Sequence, residues 1–178
     1  MPNQGKIVLY FAAALLIIVC GTKPAMSLTP THEVFIRATG GRNVQLNVNS
    51  FARYNNGYTL ENWTRLVIEI PPALLGPEQP WSLYAFAGSD QLRGDMFDHL
   101  LNIDYLTLTA SSISVNLTPT TGGRLVSIER GLKLADGIGP GRFEILISYS
   151  IGTEADRRLL GKPADHYFTD IWFQVFAP

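Results

Sequence analysis

Three small groups of side chains have types and spacings that could do chemistry. Asp165, His166 and Asp170 stand together near the C-terminus, where a carboxylate beside an imidazole can act as an acid–base pair. Asp90, Asp95, Asp98 and His99 share one short segment, and on a helix Asp95 and His99 would take the i, i+4 spacing that metal sites use. Tyr54, Tyr58, Trp63 and Trp81 offer aromatic faces of the kind that stack on sugar rings, with Asn47, Asn49, Asn55 and Asn56 as hydrogen-bonding neighbours. Each group also has a plainer reading. His166 fits a loop-to-strand edge, and the aspartates fit turns and caps. Tryptophans in a sandwich mostly belong to its core, which leaves Tyr54 and Tyr58, around a turn, as the better surface candidates.

Other catalytic signatures are missing. There is no G-x-S-x-G, no Gly-rich phosphate loop between a strand and a helix, and no cysteine besides Cys20. No second cluster with ligand spacing accompanies Asp95 and His99, so no metal and no cofactor is expected. The chain reads as a non-catalytic protein, and its function has to be sought in binding or assembly.

The elements that would position these residues are short strands. His32 to Thr39 and Asn43 to Asn49 alternate apolar and polar residues on either side of Gly40-Gly41, which predicts a hairpin with one wet face. Asn56-Gly57 is a turn signal. Further strands are predicted at Trp63–Ile70, Trp81–Ala87, Ile103–Ala110, Ile113–Leu117, Leu125–Ile128 and Phe143–Ser150. Residues 89–102 are the least strand-like, with DMFDHLL a short helix or packed loop, and Gly131 to Gly141 reads as a long loop. The closing stretch His166 to Pro178 is the most strongly patterned. Tyr167, Thr169, Ile171, Phe173 and Val175 fall on one face of a single strand, with Phe168, Asp170, Trp172, Gln174 and Phe176 on the other. Without helix-length segments between strands, the expectation is an all-β fold, an antiparallel immunoglobulin-like β-sandwich of about eight or nine strands.

The first 27 residues read as a cleaved signal peptide. Lys6 supplies the positive charge, the 14 residues Ile7 to Cys20 are apolar, and Ala25-Met26-Ser27 sets cleavage before Leu28. That run is short for a bilayer span, so no membrane span is expected in the mature chain. The alternative is a lipoprotein signal with Cys20 acylated, although Val19 stands where a small residue belongs. Residues 28–178 then form one domain without cysteine, to be held by its core alone, which suits an exported bacterial surface, extracellular or periplasmic protein. The whole chain carries −1, and removing Lys6 and Lys23 leaves 12 basic against 15 acidic side chains, or −3. Only Arg157-Arg158 is a basic doublet, which argues against nucleic acid as a partner. Asn62-Trp63-Thr64 matches a glycosylation sequon and reads as coincidence in a bacterial setting.

Two stretches carry a family resemblance. Trp81-Ser82-Leu83 is a Trp-x-Leu triplet at the head of a strand, and the chain closes with Tyr167, then Ile171-Trp172-Phe173, then Ala177-Pro178. This resembles the WxL domains of bacterial surface proteins, which have one Trp-x-Leu inside and a second in a closing strand. Here the second triplet is Trp172-Phe173-Gln174, with Gln174 where the pattern has Leu. The resemblance implies noncovalent attachment to envelope glycan, with Trp81, Leu83 and Trp172 as the residues to carry it. The entry Tyr167-Phe168-Thr169-Asp170 is also similar to the last strand of spore-coat-U-type and chaperone–usher pilin domains. Those are exported sandwiches, and the likeness implies a structural subunit whose partners are other surface-protein subunits or copies of itself. A carbohydrate-binding module using Tyr54, Tyr58 and Trp63 is the remaining alternative.

Overall fold

The computed structural model describes residues 33–42, 44–127 and 129–177. The expected leader, Cys20, His32 and the cleavage site before Leu28 lie outside the described residues. In chain order the strands are β1 (Phe35–Gly40), β2 (Leu46–Val48), β3 (Tyr58–Ile70), β4 (Pro80–Ala87), β5 (Gln91–Gly94), β6 (Leu100–Asn102), β7 (Leu106–Ser112), β8 (Leu117–Pro119), β9 (Gly123–Arg124), β10 (Leu132–Ile138), β11 (Gly141–Ile151), β12 (Asp165–Phe168) and β13 (Ile171–Phe176). A six-residue α-helix, α1 (Phe51–Asn56), lies between β2 and β3, and two single turns of 3-10 helix cover Ile103–Tyr105 and Ala155–Arg157.

The fold is an all-β antiparallel sandwich. A five-stranded sheet, β1-β3-β11-β7-β9, packs over a four-stranded sheet, β13-β4-β10-β8. A third sheet, β2-β12-β5-β6, adds Leu46, Val48, Leu92, Leu101 and Tyr167 to the same core. Strict alternation builds that core. On β11, Phe143, Ile145, Ile147, Tyr149 and Ile151 are buried, and the residues between them face outward. Trp81 joins the two layers: its ring meets Phe143 edge-on at 4.9 Å, and its Nε1 donates to the Gly139 carbonyl at 3.1 Å. Among the described residues no helix is long and apolar enough to cross a membrane.

Among the described residues thirteen strands replace the expected eight or nine, and the differences have physical causes. The largest is β10, which occupies the stretch expected to be a loop and lies between β4 and β8. Its glycines are there for fit. A Cβ on Gly137 would stand 2.2 Å from the Trp81 ring, and one on Gly131, just before the strand, would stand 2.5 Å from Phe86. Glycine in this strand marks close approach by a neighbouring ring, where its count in the sequence suggests a loop.

The expected first hairpin does not form. β1 pairs with β3 (Ile36 against Ile68, Ala38 against Leu66), whereas β2 pairs with β12 in a different sheet. Gly40-Gly41 is a crossing between sheets. Gln91–Gly94 and Leu100–Asn102 form the hairpin β5/β6, and residues 95–99 of DMFDHLL are the packed loop that joins them, held by Asp165. Residues 113–116 lie outside any strand, and β9 takes Gly123–Arg124 in place of the expected 125–128.

The closing stretch is two strands, not one. β12 pairs with β2 and β5, and β13 pairs with β4. The chain changes sheet at Thr169-Asp170, where the Asp170 carbonyl accepts from the Gly88 N–H at 2.7 Å.

Candidate functional site

β4 and β13 together present an aromatic surface to solvent. Both strands alternate, so one row of each faces the core. On β4 the inward row is Trp81, Leu83, Ala85 and Ala87, which leaves Ser82, Tyr84 and Phe86 outside. On β13, Ile171, Phe173 and Val175 are half-buried, which leaves Trp172, Gln174 and Phe176 outside. The register sets Trp172 against Phe86, Gln174 against Tyr84 and Phe176 against Ser82. The rings form one cluster: Tyr84 meets Phe176 edge-on at 5.3 Å, and Phe86 lies 6.2 Å from Phe176. Trp172 remains 48% exposed and Phe176 44%.

Beside these rings β10 supplies one fixed ion pair. Lys133 Nζ lies 2.6 Å from Asp136 Oδ1, which also accepts from the Ser82 hydroxyl at 2.6 Å. Partial burial would raise the Asp136 carboxyl, but Lys133 and Ser82 outweigh it and hold it below the usual value. The surface therefore offers flat apolar rings with a polar border. Such a surface stacks on a sugar ring or an apolar partner.

The sequence candidates separate on this geometry. Trp172 lies on the same face, opposite Phe86 in register. Trp81 and Leu83 are core residues at 1% and 0% exposure, so no ligand reaches them without opening the sandwich. Trp63 is exposed, but on β3 of the other sheet. The Tyr58 ring is covered by the Arg53 guanidinium at 4.3 Å, and Tyr54, on α1, is half-buried and directs its hydroxyl toward the Val48 carbonyl at 3.5 Å. Tyr84, Phe86 and Phe176 were not singled out from sequence. The signal was present in Y-A-F on β4 and F-Q-V-F on β13, where large aromatics occupy both faces of a strand that needs only one buried.

The aspartate–histidine group resolves into a structural tie. Asp165, 2% exposed, accepts from the Met96 N–H at 2.9 Å, the His166 N–H at 2.8 Å and the Phe97 N–H at 3.3 Å. Its Oδ2 lies 3.1 Å from His99 Nδ1. Burial alone would raise this carboxyl, but those donors together hold it below the usual carboxylate range. Asp165 is thus committed to fixing the tip of the β5/β6 hairpin against β12, and its imidazole partner is His99, not His166. Asp98 pairs with Arg93 at 2.9 Å. Among the described residues no group of three metal-ligating side chains forms.

An open polar cleft of about 550 Å³ lies nearby, lined by Ser89, Asp90, Gln91, Asn102, Ile103, Asp104 and Val126. Its Asp104 carboxylate is tied to Arg157 at 2.7 Å. No protein-family model matches the chain, and no curated protein matches its sequence.

Proposed function

We infer that this is an exported, non-catalytic β-sandwich that acts at the bacterial surface by binding envelope glycan through the aromatic outer face of β4 and β13. The observation that carries this reading is the ring cluster of Tyr84, Phe86 and Phe176, with Trp172 opposite Phe86, on a sheet face that water would normally claim. Export rests on the leader-like first 27 residues, and the glycan on the WxL-like pair of stretches, Trp81-Ser82-Leu83 and the closing Trp172-Phe173-Gln174 with its Gln174 departure. The alternative module of Tyr54, Tyr58 and Trp63 has less support, because Arg53 covers Tyr58 and Tyr54 is half-buried.

A pull-down on purified peptidoglycan tests the reading. The exported chain is retained, and Trp172→Ala together with Phe176→Ala releases it while the fold persists. No retention of the wild-type chain rejects the glycan as ligand. Retention lost in Trp63→Ala instead would move the site to the alternative module.

A further inference from the structure

We propose that β13 is a self-assembly edge that takes β13 of a second copy, antiparallel, so that the four-stranded sheets of two copies join into one. Among the described residues no strand pairs with the side of β13 away from β4. The ladder fixes which backbone groups point there. The Asp170 carbonyl accepts from Gly88, and the register runs on through Ile171 against Ala87 to Phe176 against Ser82. Bonded and unbonded pairs alternate in an antiparallel ladder. Residues 172, 174 and 176 therefore bond to β4, and the N–H and C=O groups of Ile171, Phe173 and Val175 point out of the sheet.

The other sheet ends are guarded. β8 is three residues long and ends in Pro119, β9 has two residues, and β2 and β6 have three each. β1 breaks its register between Ala38 and Gly40. Short strands, prolines and bulges are how edges are kept from pairing with another chain. β13 has six residues, IWFQVF, with no proline, no charge and an unbroken register.

A second copy fits this edge. A two-fold axis at Phe173 sets Phe173 against its own equivalent and Ile171 of each copy against Val175 of the other. All the outward N–H and C=O groups of the three residues are then bonded. Trp172 of one copy falls opposite Gln174 of the other on the outer face, so the exposed Trp172 ring loses water. The Asp170 carboxylates lie at opposite ends, so no like charges meet. The contact is isologous and closes as a dimer, with the aromatic surfaces of both copies side by side.

Sedimentation of the purified exported chain, without sugar, tests this. The expected result is a concentration-dependent doubling of mass, accompanied by slower hydrogen exchange at the Ile171, Phe173 and Val175 amides. Gln174→Lys sets two ammonium groups at diagonal positions on the joined face, and Val175→Pro removes one outward N–H per copy. Both are expected to abolish the doubling, with a thermal melt showing each still folded. A wild-type chain that stays monomeric up to about 1 mM, the weak end of specific association, overturns the proposal. So do a dimer that survives in either folded variant and edge amides whose exchange is indifferent to concentration. Because the readouts contain no glycan, they stand or fall apart from the peptidoglycan assay.

Discussion

On the outside of the five-stranded sheet, Arg37, Glu69, Arg142, Glu144 and Arg65 form a connected row of ion pairs. Arg65 holds the Glu144 carboxyl below its usual value. Val67, in the middle of that row, is only 1% exposed and is flanked in register by Arg37 and Glu144. On the outside of the four-stranded sheet the corresponding positions hold Tyr84, Phe86, Trp172 and Phe176, and a single ion pair, Lys133 with Asp136, stands at the margin. The first face pairs its charges, and Phe35 and Trp63 stand around them at 43% and 45% exposure. The second leaves Trp172 and Phe176 as exposed, but without a row of ion pairs around them and beside the unbroken edge strand β13. Apolar area in water is unfavourable by roughly 25 cal/mol per Å², and only on the second face do the exposed rings adjoin a six-residue edge strand of unbroken register that a partner could extend.

The sharpest way to break this contrast is to truncate its two tryptophans. Trp81→Ala opens a hole between the sheets and is expected to cost about 3–5 kcal/mol, whereas Trp172→Ala on the outer face is expected to cost under about 1 kcal/mol. Denaturant unfolding of the two variants compares them directly. If they cost the same, the aromatic face is part of the core and the binding reading falls.

Asp165 supplies the next effect. Asp165→Ala strands the Met96, Phe97 and His166 amides and is expected to cost about 2–3 kcal/mol, freeing the hairpin tip while leaving the aromatic face intact. Its pH dependence has a definite sign. The folded carboxyl lies below its unfolded value, so its stabilisation is present above about pH 4, the unfolded range, and is lost as pH falls through the lower folded value. Acid titration of wild type and Asp165→Ala should give melting curves that converge at low pH. Curves that stay parallel would show that the carboxylate's charge contributes nothing.

Gly137→Ala ranks third. The added methyl meets the Trp81 ring, and overpacking of this kind costs about 1–3 kcal/mol. A variant as stable as wild type would mean the strand can shift, and that β10 does not set the position of Trp81.

Alternation made the sandwich legible, because Phe143 to Tyr149 and Trp81 to Ala87 keep strict period two with one apolar face. Glycine misled at β10, where it marks contact with Trp81 and Phe86. Local turn chemistry misled at Gly40-Gly41, because a turn signal does not say whether the chain returns to the same sheet. Period two also ran straight through Thr169-Asp170, where the strand changes partners, since a sheet switch need not disturb the alternation of side chains. Trp172 could be named in advance, but the cluster could not. Tyr84 and Phe86 lie nearly ninety residues from it in sequence, and only the register of β4 against β13 brings them together.

The smallest expected effect completes the comparison from its charged side. Arg37→Ala removes an exposed partner of Glu69, and the stability change should stay within about 0.5 kcal/mol. Arg142 is 3.9 Å from the same carboxylate and remains to meet it. Raising salt to about 1 M shortens the screening length to roughly 3 Å, so it should weaken what little this row contributes. Binding through rings has no such dependence. Retention on peptidoglycan should therefore be unchanged by Arg37→Ala and nearly unchanged by salt. Retention that falls with both would mean that the charged face, and not the aromatic one, meets the glycan.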